Sequence, residues 1–268
     1  MRINTNLNAM IATNQMSKNT ALAGSSMEKL STGLRITKAG DDAAGLAVSE
    51  KMRAQIRGME QAERNVQDGI SMVQTAEGAL EEAGNIAQRM RELGVQAGND
   101  TLSDDDRTKV KEELKQLQDE MKKISDETKF NGKQLLNTAG TFTIQAGANS
   151  ETRTIKTADL SSIANGLSTI TISSSSQAQS FVENVDKALT SINDARSALG
   201  AMQNRLEYTA NNLTTSTENL TAAESRIRDV DVAKEMVTLS KLNILNQASQ
   251  AMVSQAKQQP ESVSQLLR

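Results

Sequence analysis

Residues 52–97 read MRAQIRGMEQAERNVQDGISMVQTAEGALEEAGNIAQRMRELGVQA. Apolar or small residues recur at Met52, Ile56, Met59, Ala62, Val66, Ile70, Val73, Ala76, Leu80, Ala83, Ala87, Met90, Leu93 and Ala97. Every step is three or four, and the mean is about 3.5, the period of a coiled-coil seam. The pattern predicts one helix over about 44–98, roughly 80 Å long at about 1.5 Å per residue. A helix of that length is a rod that buries one stripe against other helices.

Upstream, LSTGLRITKAGDDAAGLAVSEKM (30–52) interrupts the pattern. Gly40 to Gly45 carries half of a phosphate-binding loop, but Leu46-Ala47 stand where Lys and Ser/Thr are needed to reach phosphate and magnesium. No strand precedes it. The reading is a joint: Gly33 and Gly40 break one helix, and Asp41 or Asp42 caps the next. Before the joint, Ile3, Leu7, Met10, Ile11, Met27, Leu30 and Leu34 form a thin apolar stripe among Asn, Ser and Thr. This predicts a helix over about 5–33 that is weak alone and waits for a partner.

Downstream, Ser103 and Asp106 form a capping box, with Asp104–Asp106 in the first turn as caps rather than calcium ligands. The helix that follows has a seam at Val110, Leu114, Leu117, Met121 and Ile124, and ends before the turn pair Asn131-Gly132. Residues 138–173 change to strand period, with strands expected around Phe142–Ala146, Thr152–Thr157 and Thr169–Ser173. From about Gln177 the helical seam returns through Phe181, Val185, Ala188, Ile192, Leu199, Leu206 and Leu213 to Val230. A last amphipathic stretch, 232–257, carries Met236, Leu239, Leu242, Leu245 and Met252; Pro260 is expected to stop it, leaving Val263, Leu266 and Leu267 as an apolar tail.

Composition agrees with packed helices. In 268 residues there is no Trp, His or Cys, one Tyr, three Phe and one Pro. Lacking His and Cys, the chain has no Ser-His-Asp triad, Cys-His pair or ordinary zinc site. No cofactor or metal is implied, and the chain does not read as an enzyme. A net charge of −3 gives no reason to expect nucleic-acid binding. The first 20 residues lack the apolar core of a secretory signal, and no apolar run is long enough to span a membrane. The fold class is mainly α, with long antiparallel helices, paired termini and a small β-hairpin region.

The two ends resemble those of bacterial flagellins. MRINTNLNAM (1–10), MEKLSTGLRITKAGDDAAGLAVSEKMRAQIRG (27–58) and FNGKQLL (130–136) are similar to the flagellin N-terminal region. NLTAAESRIRDVDVAKEMVTLSKLNILNQASQAMVSQAKQQPESVSQLLR (219–268) is similar to its C-terminal end. The resemblance covers about 1–136 and 178–268. It implies an inner two-helix coiled-coil domain from 1–43 and 227–268, with a spoke loop at about 33–43. It further implies a rod domain over 44–226, with its β element at 138–173, in a short form without outer domains. The implied function is a filament subunit that self-assembles for swimming, placed outside the cell by flagellar type III export without a cleaved signal. Assembly residues would be Ile3, Leu7, Ile11, Leu239, Leu242, Leu245, Met252, Leu266 and Leu267. Family partners would be an export chaperone, the filament cap and hook-junction proteins. In QRMRELGVQ (88–96), motif match makes Arg89 and Leu93, with Glu113 by its offset from Phe130-Asn131-Gly132, contacts for the vertebrate Toll-like receptor for flagellin. Gly94 replaces the more usual Ala, which implies a looser helix there. A hook–filament junction protein of the same family matches the 30–45 segment less tightly. A chemoreceptor-type signalling coiled coil would lack the central β element.

Overall fold

The seam of the long helix does what its spacing demands. Every seam position from Met59 to Ala97 is buried. The structure, a computed structural model, describes residues 6–168 and 171–266, with side chains through residue 258. In chain order it runs α1 (Leu7–Thr32), α2 (Ala43–Ala97), α3 (Asp104–Glu127), β1 (Lys129–Phe130), β2 (Lys133–Gln134), β3 (Thr141–Gln145), β4 (Thr152–Lys156), α4 (Leu160–Gly166), α5 (Ser175–Arg228) and α6 (Val232–Leu266). The expected class, long antiparallel helices with a small β-hairpin region, is the one observed. The chain divides into two units: Met1–Ala54 with Asn219–Arg268, and Gln55–Glu218.

The 55–218 unit has a continuous core. α2 and α5 run antiparallel, pinned by Arg91–Asp186 at 2.6 Å, Arg196 to Glu77 and Glu81 at 3.9 and 3.8 Å, and Thr214 Oγ1 donating to Glu63 at 3.2 Å. Between the pins, Leu80, Ala83, Ala87 and Met90 meet the α5 stripe of Val185, Ile192 and Leu199, all buried. α3 starts at the expected capping box, with Ser103 as N-cap and Asp106 returning the bond. Its buried face is rotated from the expected seam. Gln118 and Ser125 are buried, whereas Leu117 and Ile124 are half-exposed. The reason is hydrogen bonding: Gln118 Nε2 donates to the Ala164 carbonyl at 3.0 Å and Ser125 Oγ to the Leu136 carbonyl at 2.9 Å. Each carbonyl also accepts a backbone bond, Ala164 O from Leu167 N and Leu136 O from Leu160 N, so the two side chains fill a second acceptor site inside the unit.

Asn131-Gly132 is the tip of a two-residue hairpin, β1–β2, with φ of 48° and 77°. Two successive positive φ angles are what the strand twist requires of such a turn. β3 and β4 pair antiparallel from Thr141↔Lys156 to Gln145↔Thr152. This hairpin lies on α2 where glycines leave room. A Cβ at Gly58 would stand 2.8 Å from Ala148 Cβ, and one at Gly69 would collide with Ile144 Cδ1. Asn65 Nδ2 donates to the Gln145 carbonyl at 3.3 Å.

The third expected strand is not formed. Residues 169 and 170 lie outside the described residues, and 171–173 are not strand. Here the chain's polar groups go elsewhere: Ser173 N donates to Gln177 Oε1 at 3.1 Å, and Arg107 Nη1 to the Ser173 carbonyl at 3.3 Å. A short helix, α4, capped by Asp159, precedes this span.

The expected stop at Pro260 is also corrected, since α6 continues to Leu266. A proline inside a helix removes one N–H and orphans the carbonyl four residues back. Here that carbonyl is Ala256 O, and Asn6 Nδ2 donates to it at 2.6 Å.

Candidate assembly surface

α1 and α6 pack antiparallel. At one end Asn6 reaches Ala256, and further along Thr20 Oγ1 meets Asn246 Oδ1 at 3.4 Å. At the other end Gly33, in the left-handed region at φ 72°, terminates α1. Leu34 then bridges Asp229, with Arg35 N donating to the Arg228 carbonyl at 2.6 Å and Val230 N to the Gly33 carbonyl at 3.0 Å. The Arg35 guanidinium caps the Ile227 carbonyl at 2.6 and 3.1 Å. Arg228 Nη1 pairs with Glu50 at 2.5 Å, and that bond holds the Glu50 carboxyl below its ordinary pKa.

The joint that looked like a phosphate loop uses its own aspartates. Asp41 Oδ2 accepts from Thr37 N, Lys38 N and Thr37 Oγ1 at 3.0–3.1 Å. The backbone bonds from Lys38 and Thr37 depress its pKa. Asp42 Oδ1 accepts from Gly45 N at 2.8 Å, capping α2. Ile36, 1% exposed, lies beneath Gly45, where a Cβ would stand 2.8 Å from its Cδ1. Among the described residues no cluster of three His, Cys, Asp or Glu could hold a metal ion.

This terminal unit leaves its apolar groups outside. Among the described residues, the exposed large apolar side chains all belong to it except Val95 and Tyr208. Of the predicted assembly residues, Leu7, Ile11 and Met252 are at least half exposed and Leu245 is exposed at 39%. Leu239 is half-buried, and only Leu242 is buried, at 8% exposure. Ile3, Leu267 and the side chain of Leu266 lie outside the described residues. Ile11, Ala248, Leu245 and Met252 line a groove of about 550 Å³ between the two helices. Sequence reading missed Asn19, a polar residue 4% exposed in the groove floor.

The second predicted cluster is split. Arg89 pairs with Glu92 at 3.0 Å and across to Glu113 on α3 at 3.1 Å, with all three side chains near half exposed or more. Both carboxylates, Glu92 first, raise the Arg89 pKa. Leu93 is 2% exposed and faces the core. Gly94 lies where α5 packs closely on α2. A Cβ there would stand 2.9 Å from Val182 Cγ2 and 3.2 Å from Phe181 Cδ1, so the glycine admits α5.

Compared with protein families, residues 3–141 match the bacterial flagellin N-terminal helical region, and residues 182–267 match the C-terminal helical region. The chain belongs to the bacterial flagellin family. Over their full lengths, this flagellin is 54% identical to a flagellin of Halalkalibacterium halodurans and 47% identical to one of Bacillus subtilis. It is 44% identical, again over both full lengths, to the flagellar filament 33 kDa core protein of Treponema phagedenis. Among solved structures, Bacillus cereus flagellin aligns at TM-score 0.52 and 36% identity, covering 60% of this chain and 94% of that one. A flagellar hook-associated protein from Vibrio parahaemolyticus aligns at TM-score 0.58 and 12% identity, covering 70% of this chain and all of that one, a likeness of fold. As a flagellin, the protein is a structural subunit of the flagellar filament, a component that lies outside the cell, and not an enzyme.

Proposed function

We propose that this subunit polymerises through its α1–α6 pair. In this reading residues 1–43 and 227–268 form the inner tube of the filament. The loop at 33–43 is the spoke, and 44–226 is the rod outside it. The observation that carries the reading is the concentration of exposed Leu, Ile, Met and Val on the terminal helices. Each such side chain gains roughly 25 cal/mol per Å² when a neighbouring copy covers it. A head-to-tail contact of this kind does not close, so it propagates as a helix. Deleting residues 1–20 should leave a soluble rod that adds no length to filament seeds. Filaments of normal diameter from that variant, seen by electron microscopy, would refute the reading.

Export through the flagellar apparatus, with a chaperone on the C-terminal segment and later contact with hook-junction and cap proteins, belongs to the same proposal. It rests on family membership and on terminal helices that bury little by themselves.

A second reading concerns the vertebrate Toll-like receptor for flagellin. Arg89 and Glu113 stand together at the surface, which favours them as contacts. Leu93 is buried and does not join them at the surface. Monomer should activate a receptor reporter cell, and Arg89→Ala should weaken the response; an unchanged response removes Arg89 from the contact.

A further inference from the structure

The groove between α1 and α6 has an unexpected floor. Asn19 is buried to 4% exposure in a helix pair where a leucine would pack better. Its Oδ1 accepts from Gln15 Nε2 at 3.3 Å, a neighbour on its own helix. Among the described residues its NH₂ donates to nothing; that nitrogen is not sealed off but opens onto the groove, where water reaches it. The cost falls on whatever covers the groove: an occupant that displaces this water must replace its bond, or leave a buried donor without a partner. In coiled coils a single buried Asn bears such a cost and in exchange fixes register and partner.

The groove also limits what can enter it. Residues 3–17 and 242–256, which supply nearly all of its lining, contain no charged side chain. A charged helix would lose its hydration there without compensation. The occupant must offer apolar bulk together with a neutral acceptor near Asn19. This chain carries such helices itself. The same two segments expose Leu7, Met10, Ile11, Ile244 and Met252 among Asn, Gln and Ser.

We infer that Asn19 is a specificity residue of assembly, its NH₂ donating to a side-chain amide or hydroxyl on a helix of a second copy that seats in this groove. The inference rests on the self-assembly reading above and adds to it the place of entry and the group that reads the entrant. The Asn, Gln and Ser side chains of those segments supply such neutral acceptors.

The test is seeded growth of full-length protein, with wild type, Asn19→Leu and Asn19→Gln compared at equal monomer concentration. Asn19→Leu should form an α1–α6 pair at least as helical by circular dichroism, yet add to wild-type seeds about tenfold more slowly, the worth of one buried hydrogen bond. Asn19→Gln keeps the donor and should grow within about threefold of wild type. Growth of Asn19→Leu at the wild-type rate would overturn the inference, and would mean that apolar contact or water fills the groove. Growth of Asn19→Gln as slow as that of Asn19→Leu would overturn it too, because shape rather than the amide would then be read. Failure of wild type itself to extend seeds would instead sink the assembly reading.

Discussion

At the residue scale, Asn6 carries two tasks that a sequence pattern does not separate. Its Oδ1 accepts from Ala9 N at 3.0 Å as the N-cap of α1, and its Nδ2 fills the carbonyl that Pro260 leaves without a donor. Asn6→Asp keeps the cap and removes the donor; Asn6→Ala removes both. Loss of the cap costs about 1 kcal/mol, and an unfilled carbonyl about 1–3 kcal/mol. Amide exchange in the last turns of α6 should therefore speed up in both variants, whereas exchange in the first turn of α1 should speed up in Asn6→Ala alone. Equal behaviour of the two variants at both ends would contradict the division of labour. The glycines of α2 separate by the same logic. Gly78 has nothing within 4 Å of a Cβ position, so Gly78→Ala should gain close to 1 kcal/mol of helix propensity. Gly94→Ala earns the same propensity but drives a methyl into Val182 and Phe181. Urea denaturation should show a raised midpoint for the first and no gain for the second; equal gains would mean that α5 yields freely.

At the scale of elements, a helix cap, the 33–42 loop and the Glu50–Arg228 pair each depend on a carboxylate whose ionised form is held by hydrogen bonds or a cation. Bonds from Ser103 depress the Asp106 pKa, backbone bonds depress that of Asp41, and Arg228 depresses that of Glu50. A carboxylate with a lowered folded pKa stabilises the fold above its unfolded value and loses that contribution as pH falls through the folded one. Helicity should thus hold down to about pH 5 and decline below about pH 4. Asp41→Asn should blunt this acid response in amide exchange of the 33–42 loop, and an unchanged response would remove Asp41 as a cause. How much was legible follows from which force placed each element. The buried α2 seam from Met59 to Ala97 was readable because area burial obeys a simple period. The α3 face was misread because Gln118 and Ser125 are placed by carbonyls supplied by α4 and β2-adjacent loops, far along the chain. Pro260 was misread for a similar reason, since its compensation comes from Asn6 across about 250 residues. The terminal apolar groups proposed for assembly were readable as a stripe, but Asn19 was not, because a polar residue inside a seam has no periodic signature. Gln118→Leu tests the misreading directly: Ala164 O keeps its bond from Leu167 N but loses the one from Gln118, and the unit should lose about 1 kcal/mol in urea despite added apolar bulk. A neutral or stabilising result would mean that the Gln118 bond does not set the α3 face.

At the scale of the whole molecule, two units with different sources of stability share one chain. Residues 55–218 bury a seam that runs through α2, α3 and α5, and close their inner polar groups with Gln118, Ser125 and Asn65. Among the described residues the terminal unit buries few large apolar side chains, Ile36 and Leu242 among them, and leaves many others exposed. A segment that cannot bury enough area to offset its ordering entropy takes its stability from the partner that covers it. Local opening free energies should therefore differ sharply within the monomer. In hydrogen exchange of the monomer, amides of α1 and α6 should exchange with little protection, while those of α2 between Met59 and Ala97 exchange only on global unfolding. On polymerisation the order should reverse in its increments: α1 and α6 gain most, because their exposed Leu7, Ile11, Ile244 and Met252 are the groups then covered. The core of the 55–218 unit, already complete, should gain little. Equal protection of α1 and α2 in the free monomer would show that the terminal pair is stable by itself, and the coupling of its order to assembly would be lost.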